Sequence, residues 1–212
     1  TKPIVAAIHG YALGGGLENA MGCNYRIAKR SAKVGLPEVL IGILPGGGGT
    51  QRLPRLIGPK AALDLIVSGR HVPAAEALTL GIIDAIVEDD QDLKQAGIDY
   101  ARKMAAIRPL PQVSSRTDKL EAAKSDPGMF DAKRKEIARR ARNQKAPYNC
   151  ILAVEAATQL PFAEGLQRER DLFNELENTG EARSLRYAFF GEREANKVPG
   201  LDASVPVRDI AT

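Results

Sequence analysis

Two glutamates in apolar surroundings are the residues of this chain best suited to chemistry. Glu18 lies in the stretch ALGGGLENAMGC, where three glycines precede a helix-like run. Glu38 follows Pro37 and precedes the apolar run VLIGILP. Because apolar neighbours raise the pKa of a carboxylic acid, both side chains could carry protons near neutral pH. The pair therefore suits the addition or removal of a proton next to a carbonyl group.

The glycines before Glu18 predict a site for negative charge. A helix N-terminus exposes unpaired N–H groups and the positive end of the helix dipole. Since Gly15 has no side chain, one such N–H could closely approach a ligand oxygen, as in an oxyanion hole. The alternative is structural: Glu18 complements the dipole from a solvated turn, the glycines serve packing, and Glu38 is a solvated loop residue. These residues alone leave both interpretations open.

Other chemistries lack the residues that they need. The stretch PGGGGTQR has no Lys-Ser/Thr end of a phosphate-binding loop, and no glycine cluster has the dinucleotide spacing G-x-G-x-x-G. The sequence has no G-x-S-x-G elbow, and its two histidines and two cysteines have no metal-ligand spacing. We therefore predict no metal site.

The composition indicates a globular protein. The chain has 212 residues, 44% of them hydrophobic, and a net charge of only +4 without an aromatic-studded basic surface, which argues against nucleic acid as a partner. Cys23 and Cys150 lie far apart in apolar surroundings and are expected to be reduced thiols. No run approaches the roughly 20 apolar residues of a membrane span, and the first residues do not have the basic-then-apolar pattern of a signal peptide.

The pattern predicts an α/β fold class with short strands, followed by an all-helical segment. In the first part we expect strands at 4–8 and within IIDAIVE, and helices at 17–26, 74–80 and 92–107. In the second part we expect helices at 129–144, 148–159, 163–178 and 181–196. Each of the last two has one apolar side, which is expected to pack on the α/β part.

The strand at 4–8 begins the chain, and its backbone groups need partners. Either residues after Gly16 supply them or a preceding segment is absent, and we favour the second alternative. The stretch KVPGLDASVPVRDIAT has prolines and glycine without a period, and is expected to be a linker.

Three quoted segments carry a family resemblance. KPIVAAIHGYALGGGLENAMGCNYRIA, VGLPEVLIGILPGGGGTQRLPRLIG and ALDLIVSGRHVPAAEALTLGIIDAIV resemble the central signature of the enoyl-CoA hydratase/isomerase (crotonase) family, over about 2–87. PFAEGLQRERDLFNELENTGEARSLRYAFFGEREANKVPG resembles the helical segment that joins this part to a 3-hydroxyacyl-CoA dehydrogenase part in multifunctional fatty-acid β-oxidation enzymes. The resemblance implies a partial crotonase-like spiral fold.

The resemblance also implies roles for particular residues. Glu18 and Glu38 match the two catalytic glutamates, and Gly15 matches a backbone N–H donor to the thioester oxygen, with Gly14 and Gly46 beside the substrate. Glu18 would deprotonate the water that attacks the β-carbon of a trans-2-enoyl-CoA, and Glu38 would exchange the proton at the α-carbon. Shifting a 3-enoyl-CoA to a 2-enoyl-CoA would use the same enolate.

The implied organisation has three parts. Residues 1–108 would be an incomplete hydratase/isomerase domain, 109–196 a helical segment with the linker helix, and 197–212 a linker toward an absent dehydrogenase domain. The partner would be an acyl-CoA thioester, with NAD expected only for the dehydrogenase and an oligomer compatible with the fold. The compartment would be bacterial cytosol or a peroxisome. Two alternatives stay open: a catalytically incomplete docking or linker fragment, and another reaction such as thioester hydrolysis.

Overall fold

The structure is a computed structural model that describes residues 2–126, 128–195 and 197. Short strands and α-helices alternate in the first half of the chain, and helices follow in the second half. The strands are β1 Val5–Ile8, β2 Tyr11–Leu13, β3 Tyr25–Lys29, β4 Lys33–Gly35, β5 Val72–Pro73 and β6 Ala85–Val87. The helices are α1 Gly15–Gly22, α2 Gly49–Ile57, α3 Pro59–Ser68, α4 Ala74–Leu80, α5 Leu93–Met104, α6 Glu121–Lys124, α7 Met129–Ile137, α8 Ala146–Gln159, α9 Phe162–Glu177 and α10 Gly180–Ala195, with 3₁₀ helices at Glu38–Ile41 and Val113–Ser115.

Two small sheets organise the first half. In one, β3 lies between β1 and β6, and both pairings are parallel. In the other, β4 lies between the parallel β2 and the antiparallel β5. The strand expected at 4–8 is therefore present, and a segment after Gly16 supplies its partner on one edge, which is the alternative that we did not favour. Its other edge has no strand partner among the residues that the structure describes.

Most helix ends agree with the sequence pattern. The helix expected at 74–80 is α4, which ends before Gly81 at φ 87°. The helix predicted at 17–26 is shorter in the structure: α1 ends at Gly22, and Tyr25 already belongs to β3. The reason is tertiary: β3 is the central strand of its sheet and is buried along almost its whole length, so pairing on both edges overrides the helical pattern.

The C-terminal helices pack on the α/β part, as expected. Helix α8 lies against α2 and α3, and α9 lies against α8 and α2. Side chains from both halves share one buried cluster, which includes Leu53, Leu63, Ile66, Ile151 and Leu172. The division of the chain at residue 108 therefore stays a prediction, since the hydrophobic core continues across it.

Three smaller expectations concern the predicted linker, the two cysteines and membrane-spanning helices. Apart from residue 197, the predicted linker lies outside the described residues. Cys150 is buried and Cys23 is partly buried, and both are free thiols. Within the part of the chain that the structure describes, no helix is both long and apolar enough to traverse a lipid bilayer.

Candidate active site

Glu18 is buried and its carboxylate is held by backbone. It lies in the first turn of α1, and 7% of its surface is exposed. Its Oε1 accepts hydrogen bonds from the N–H groups of Gly47 at 2.8 Å and Gly49 at 2.7 Å. The alternative that Glu18 is a solvated first-turn residue is therefore wrong. Two fixed donors hold one oxygen, so the orientation of the whole carboxylate is defined.

Glu38 is the second carboxylate at this place. It is the first residue of the 3₁₀ helix Glu38–Ile41, and its Oε2 is buried without a hydrogen-bond partner in the described part of the chain. Burial raises the pKa of Glu38 to about 7, opposed by its own backbone N–H and assisted by the charges of Glu18 and Glu169. A carboxylic acid with this pKa can both give and accept a proton near neutral pH.

Gly14 connects the two glutamates. It is the N-cap of α1 with φ 55°, and a Cβ at this position would lie 2.8 Å from Oε1 of Glu38. The missing side chain therefore makes room for the Glu38 carboxylate one turn before Glu18. The N–H of Gly14 donates to the carbonyl oxygen of Gly35 at 2.9 Å, so it is not available to a ligand.

Gly15 differs from Gly14 in having open space beside it. As the first residue of α1 it has an N–H without an intrahelical acceptor, and no heavy atom lies within 4 Å of where its Cβ would be. The residue is exposed, so a ligand oxygen can approach this N–H. Its predicted role as a thioester-binding donor is compatible with this geometry and stays a prediction.

Gly46 faces another element. A Cβ at Gly46 would lie 2.8 Å from Cδ2 of Phe173, so this glycine lets α9 approach the loop closely. Its predicted place beside the substrate stays a prediction. The neighbouring Gly47 and Gly49, which are not among the predicted site residues, donate to the Glu18 carboxylate.

A third buried carboxylate was missed. Glu169 of α9 is 1% exposed and accepts hydrogen bonds from the N–H of Gly48 at 2.7 Å, the N–H of Thr50 at 3.0 Å and Oγ1 of Thr50 at 2.6 Å. Burial raises its pKa to about 7, although these hydrogen bonds act in the opposite direction. The sequence held one signal: Glu169 lies at helical spacing between Leu166 and Leu172, on the buried side of the helix.

The arrangement is a cluster of three carboxylates around two glycine turns. Glu18 and Glu169 are fixed by N–H donors of the same loop, whereas Glu38 has an oxygen free for another partner. Among the described residues, no group of three or more His, Cys, Asp and Glu side chains could hold a metal ion. Such a site can hold water against one carboxylate and move a proton with another.

Comparison with protein families gives a match over most of the chain. The family described as enoyl-CoA hydratase/isomerase matches residues 1–145. The peroxisomal bifunctional enzymes of Danio rerio and Homo sapiens are 49% and 46% identical over 199 and 196 residues. The glyoxysomal fatty acid beta-oxidation multifunctional protein MFP-a of Cucumis sativus is 40% identical over 200 residues. These alignments include 92%, 92% and 94% of this chain but 27%, 27% and 28% of the three relatives.

Solved structures agree with the sequence match. The enoyl-CoA hydratase/isomerase of Pseudoalteromonas atlantica T6c superposes with a TM-score of 0.60 at 25% identity, over 90% of this chain and 62% of that one. The carnitinyl-CoA hydratase of Mycobacterium avium gives a TM-score of 0.60 at 28% identity, over 90% and 60%. The predicted crotonase-like α/β fold with a helical C-terminal segment is thereby confirmed.

Proposed function

The chain belongs to the enoyl-CoA hydratase/isomerase family, and from this membership we propose that it is the hydratase/isomerase segment of a multifunctional fatty-acid β-oxidation enzyme. In this proposal the segment adds water to a trans-2-enoyl-CoA and forms a 3-hydroxyacyl-CoA. It also shifts a 3-enoyl-CoA to a 2-enoyl-CoA through the same enolate. The relatives named above extend well beyond the matched region, so the activity of the whole protein is part of the proposal.

Charge develops on the thioester oxygen as the reaction proceeds. The exposed N–H at the start of α1, on Gly15, donates to this oxygen, and the helix dipole adds to the effect. Because the oxygen becomes more negative in the transition state than in the substrate, a fixed donor stabilises the transition state selectively. Loss of one such donor typically costs about 3 kcal/mol in activation free energy.

The two glutamates divide the proton transfers. Glu18, whose Oε1 is bound by Gly47 and Gly49, takes a proton from water through its other oxygen while the hydroxide adds to the β-carbon. Protonated Glu38 gives its proton to the α-carbon, and both side chains return to their starting states by exchange with solvent. Isomerisation needs only the carboxylate that exchanges protons at carbon, which is Glu38.

The observation that carries this proposal is the convergence of Glu18 and Glu38 at Gly14. A carboxylate with an unbonded buried oxygen lies against the N-cap of the helix that carries the other carboxylate. The pKa of Glu38, raised to about 7, makes its protonated form available at neutral pH, which a solvated glutamate would not provide.

The decisive experiment replaces Glu38 by glutamine. Glu38→Gln keeps the shape of the side chain but removes proton transfer, so we expect kcat for hydration of but-2-enoyl-CoA to fall by roughly 10²–10⁴-fold. Loss of the absorbance of the conjugated thioester measures this rate. Glu177→Gln, at an exposed glutamate of α9, is the matched control and should retain activity. Turnover like that of the wild type in Glu38→Gln would refute the assignment.

Cofactors and compartment follow from the same proposal. Coenzyme A enters with the substrate, this segment uses no cofactor of its own, and NAD would be used only by a dehydrogenase part. Two of the relatives are named peroxisomal and one glyoxysomal, which supports a peroxisomal compartment for the enzyme.

A further inference from the structure

Residues 47–50, called the loop below, are the last two residues before α2 and the first two residues of that helix. Their backbone N–H groups hold both Glu18 and Glu169 and alternate between the two side chains. The N–H groups of Gly47 and Gly49 point to Oε1 of Glu18, and those of Gly48 and Thr50 point to the Glu169 carboxylate. The N–H groups of four consecutive residues are thus divided between two buried carboxyl groups. Since neighbouring peptide planes share a Cα atom, the orientation of one pair of donors constrains that of the other.

Glu169 is a deeply buried glutamate whose carboxylate is fully hydrogen-bonded, so it is part of the protein interior and not a surface side chain. It has three donors, two from backbone and one from the Thr50 hydroxyl, and Thr50 itself is fully buried. Burial of a carboxylate is unfavourable unless hydrogen bonds compensate for the lost hydration, and an apolar residue would fill the same position without this desolvation cost. The presence of a glutamate on the buried side of α9 therefore indicates a specific role for its carboxylate.

Close backbone packing ties the C-terminal helices to the same stretch of chain. A Cβ at Gly46 would lie 2.8 Å from the Phe173 ring of α9, and a Cβ at Gly42 would lie 2.8 Å from Cα of Ala182 in α10. Since neither glycine has a side chain that could give way, a displacement of α9 acts through the Phe173 ring directly on the backbone at Gly46, next to the loop. Glu169 is the polar part of this contact.

We propose that Glu169 is a positioning residue, which fixes the loop 47–50 and thereby aims the Glu18 carboxylate at the water that attacks the substrate. This inference rests on the proposed function. Glu169 does not act on the substrate itself, because its carboxylate is occupied by three donors of the loop. When one of these bonds is lost, the donors of Gly47 and Gly49 lose their fixed direction, and Glu18 loses its orientation.

Glu169→Gln in the complete natural protein tests the proposal. Glutamine keeps the shape but turns an amide NH₂ toward one of the loop donors, so at least one hydrogen bond is lost. Hydration of but-2-enoyl-CoA should fall at least about 10-fold in kcat, with KM within about 3-fold, since Glu18 acts in the chemical step. Isomerisation of a 3-enoyl-CoA, which moves its proton through Glu38, should stay within about 3-fold of the wild type. Glu177→Gln should leave both rates unchanged.

The split between the two reactions separates positioning from simple loss of structure. Equal loss of hydration and isomerisation, or no loss of hydration, would overturn the inference. If Glu169→Gln does not fold, Thr50→Val and Thr50→Ser replace it, because only serine retains the hydroxyl that donates to Glu169. Hydration should then fall about 3- to 10-fold in the valine variant relative to the serine variant, and equal rates would contradict the proposal.

Hydrogen exchange gives a readout that does not depend on turnover. In Glu169→Gln, or in Thr50→Val if it is used instead, the amides of Gly48 and Thr50 should exchange faster, and so should those of Gly47 and Gly49, which bind Glu18. If only the amides of Gly48 and Thr50 exchange faster, the two pairs of donors are not coupled and the inference is wrong. This result can be read even if the wild-type protein does not hydrate an enoyl-CoA. In that case the proposed function fails separately, by the absence of wild-type turnover.

Discussion

At the scale of single residues, several glycines of this site make room for carboxylate oxygens of the protein. A Cβ at Gly14 would lie 2.8 Å from Glu38 Oε1, one at Gly47 would lie 2.6 Å from Glu18 Oε2, and one at Gly49 would lie 2.7 Å from Glu18 Oε1. Atoms this close would have to move. The glycines thus allow buried carboxylates to lie directly against backbone, where N–H groups can replace water.

Gly47→Ala tests this role of the glycines. Gly47 is exposed and its φ is not positive, so alanine is tolerated by the backbone, but the new methyl group would displace the Glu18 carboxylate. We expect kcat for hydration to fall by about 10–100-fold, within the range of one acid–base contribution, while the free energy of unfolding changes by less than about 1 kcal/mol. Enoyl-CoA turnover and urea denaturation measure the two quantities.

The matched control for this variant is Gly22→Ala. Gly22 is the last residue of α1, is exposed, and has no heavy atom within 4 Å of where its Cβ would be. Alanine there should leave hydration unchanged and raise stability slightly, because it favours the helix over glycine. An active Gly47→Ala enzyme would show that Glu18 does not need this contact.

At the scale of elements, one buried arginine joins the central strand to the segment before β6. Arg26 of β3 is 2% exposed; its Nε donates to the carbonyl oxygen of Ile82 at 2.8 Å, and its Nη2 lies 3.2 Å from Oδ2 of Asp84. The backbone N–H of Arg26 donates to the same Asp84 oxygen at 2.7 Å. This network fixes the strand that follows α1, and with it the end of the helix that carries Glu18.

Arg26→Met should therefore destabilise the fold. It removes the side-chain donor to the Ile82 carbonyl oxygen and one of the two donors to Asp84 Oδ2, and only the backbone N–H remains for that carboxylate. We expect the free energy of unfolding to fall by about 2–4 kcal/mol. Arg30→Met is the control, since the Arg30–Glu88 pair is about half exposed on both sides; solvent screens its charges, so its loss should be much smaller than that of Arg26. Urea denaturation compares the two variants, and equal losses would contradict the role given to Arg26.

The elements that the sequence predicted well are those whose ends are set locally. The helix predicted at 74–80 ends before Gly81, and the helix predicted at 92–107 begins next to Asp92, whose side chain caps α5. The short strands β2 and β4 were not predicted, because strands of three residues are set by partners distant in sequence.

The same distinction applies to the site. Glu18 and Glu38 were found from their local surroundings, and Gly15 from its position at a helix start. Glu169 was not found, because its partners Gly48 and Thr50 are about 120 residues away and only folding brings them together. The only signal was a glutamate at helical spacing among leucines. This pattern is equally compatible with a glutamate at the solvent-exposed border of the apolar side of α9.

At the scale of the whole molecule, the three buried carboxyl groups lie inside a core that both halves of the chain build. Buried residues of α8 and α9 belong to the same cluster as those of α2 and α3, and Glu169 reaches the glycine loop from that side. The family match ends at residue 145, whereas the helices after it complete the surroundings of the carboxylates. The low-dielectric interior that they create is what raises the pKa of Glu38 and Glu169.

Ionisation of the buried Glu38 lowers the free energy of unfolding as pH rises, and Glu38→Gln measures this effect. The pKa of Glu38 is about 7 in the folded chain against an ordinary value of 4.5. Between these values the folded state retains a proton that the unfolded state has released, so the free energy of unfolding falls as pH rises through this window. The loss is at most about 3 kcal/mol, and Glu169 adds a loss in the same direction.

Glutamine at position 38 cannot ionise, so the free energy of unfolding of the variant should match that of the wild type near pH 5 and exceed it by about 1–3 kcal/mol at pH 8. Urea denaturation at the two pH values decides, since parallel changes in wild type and variant would mean that Glu38 titrates near its ordinary pKa and cannot serve as the proton donor at neutral pH.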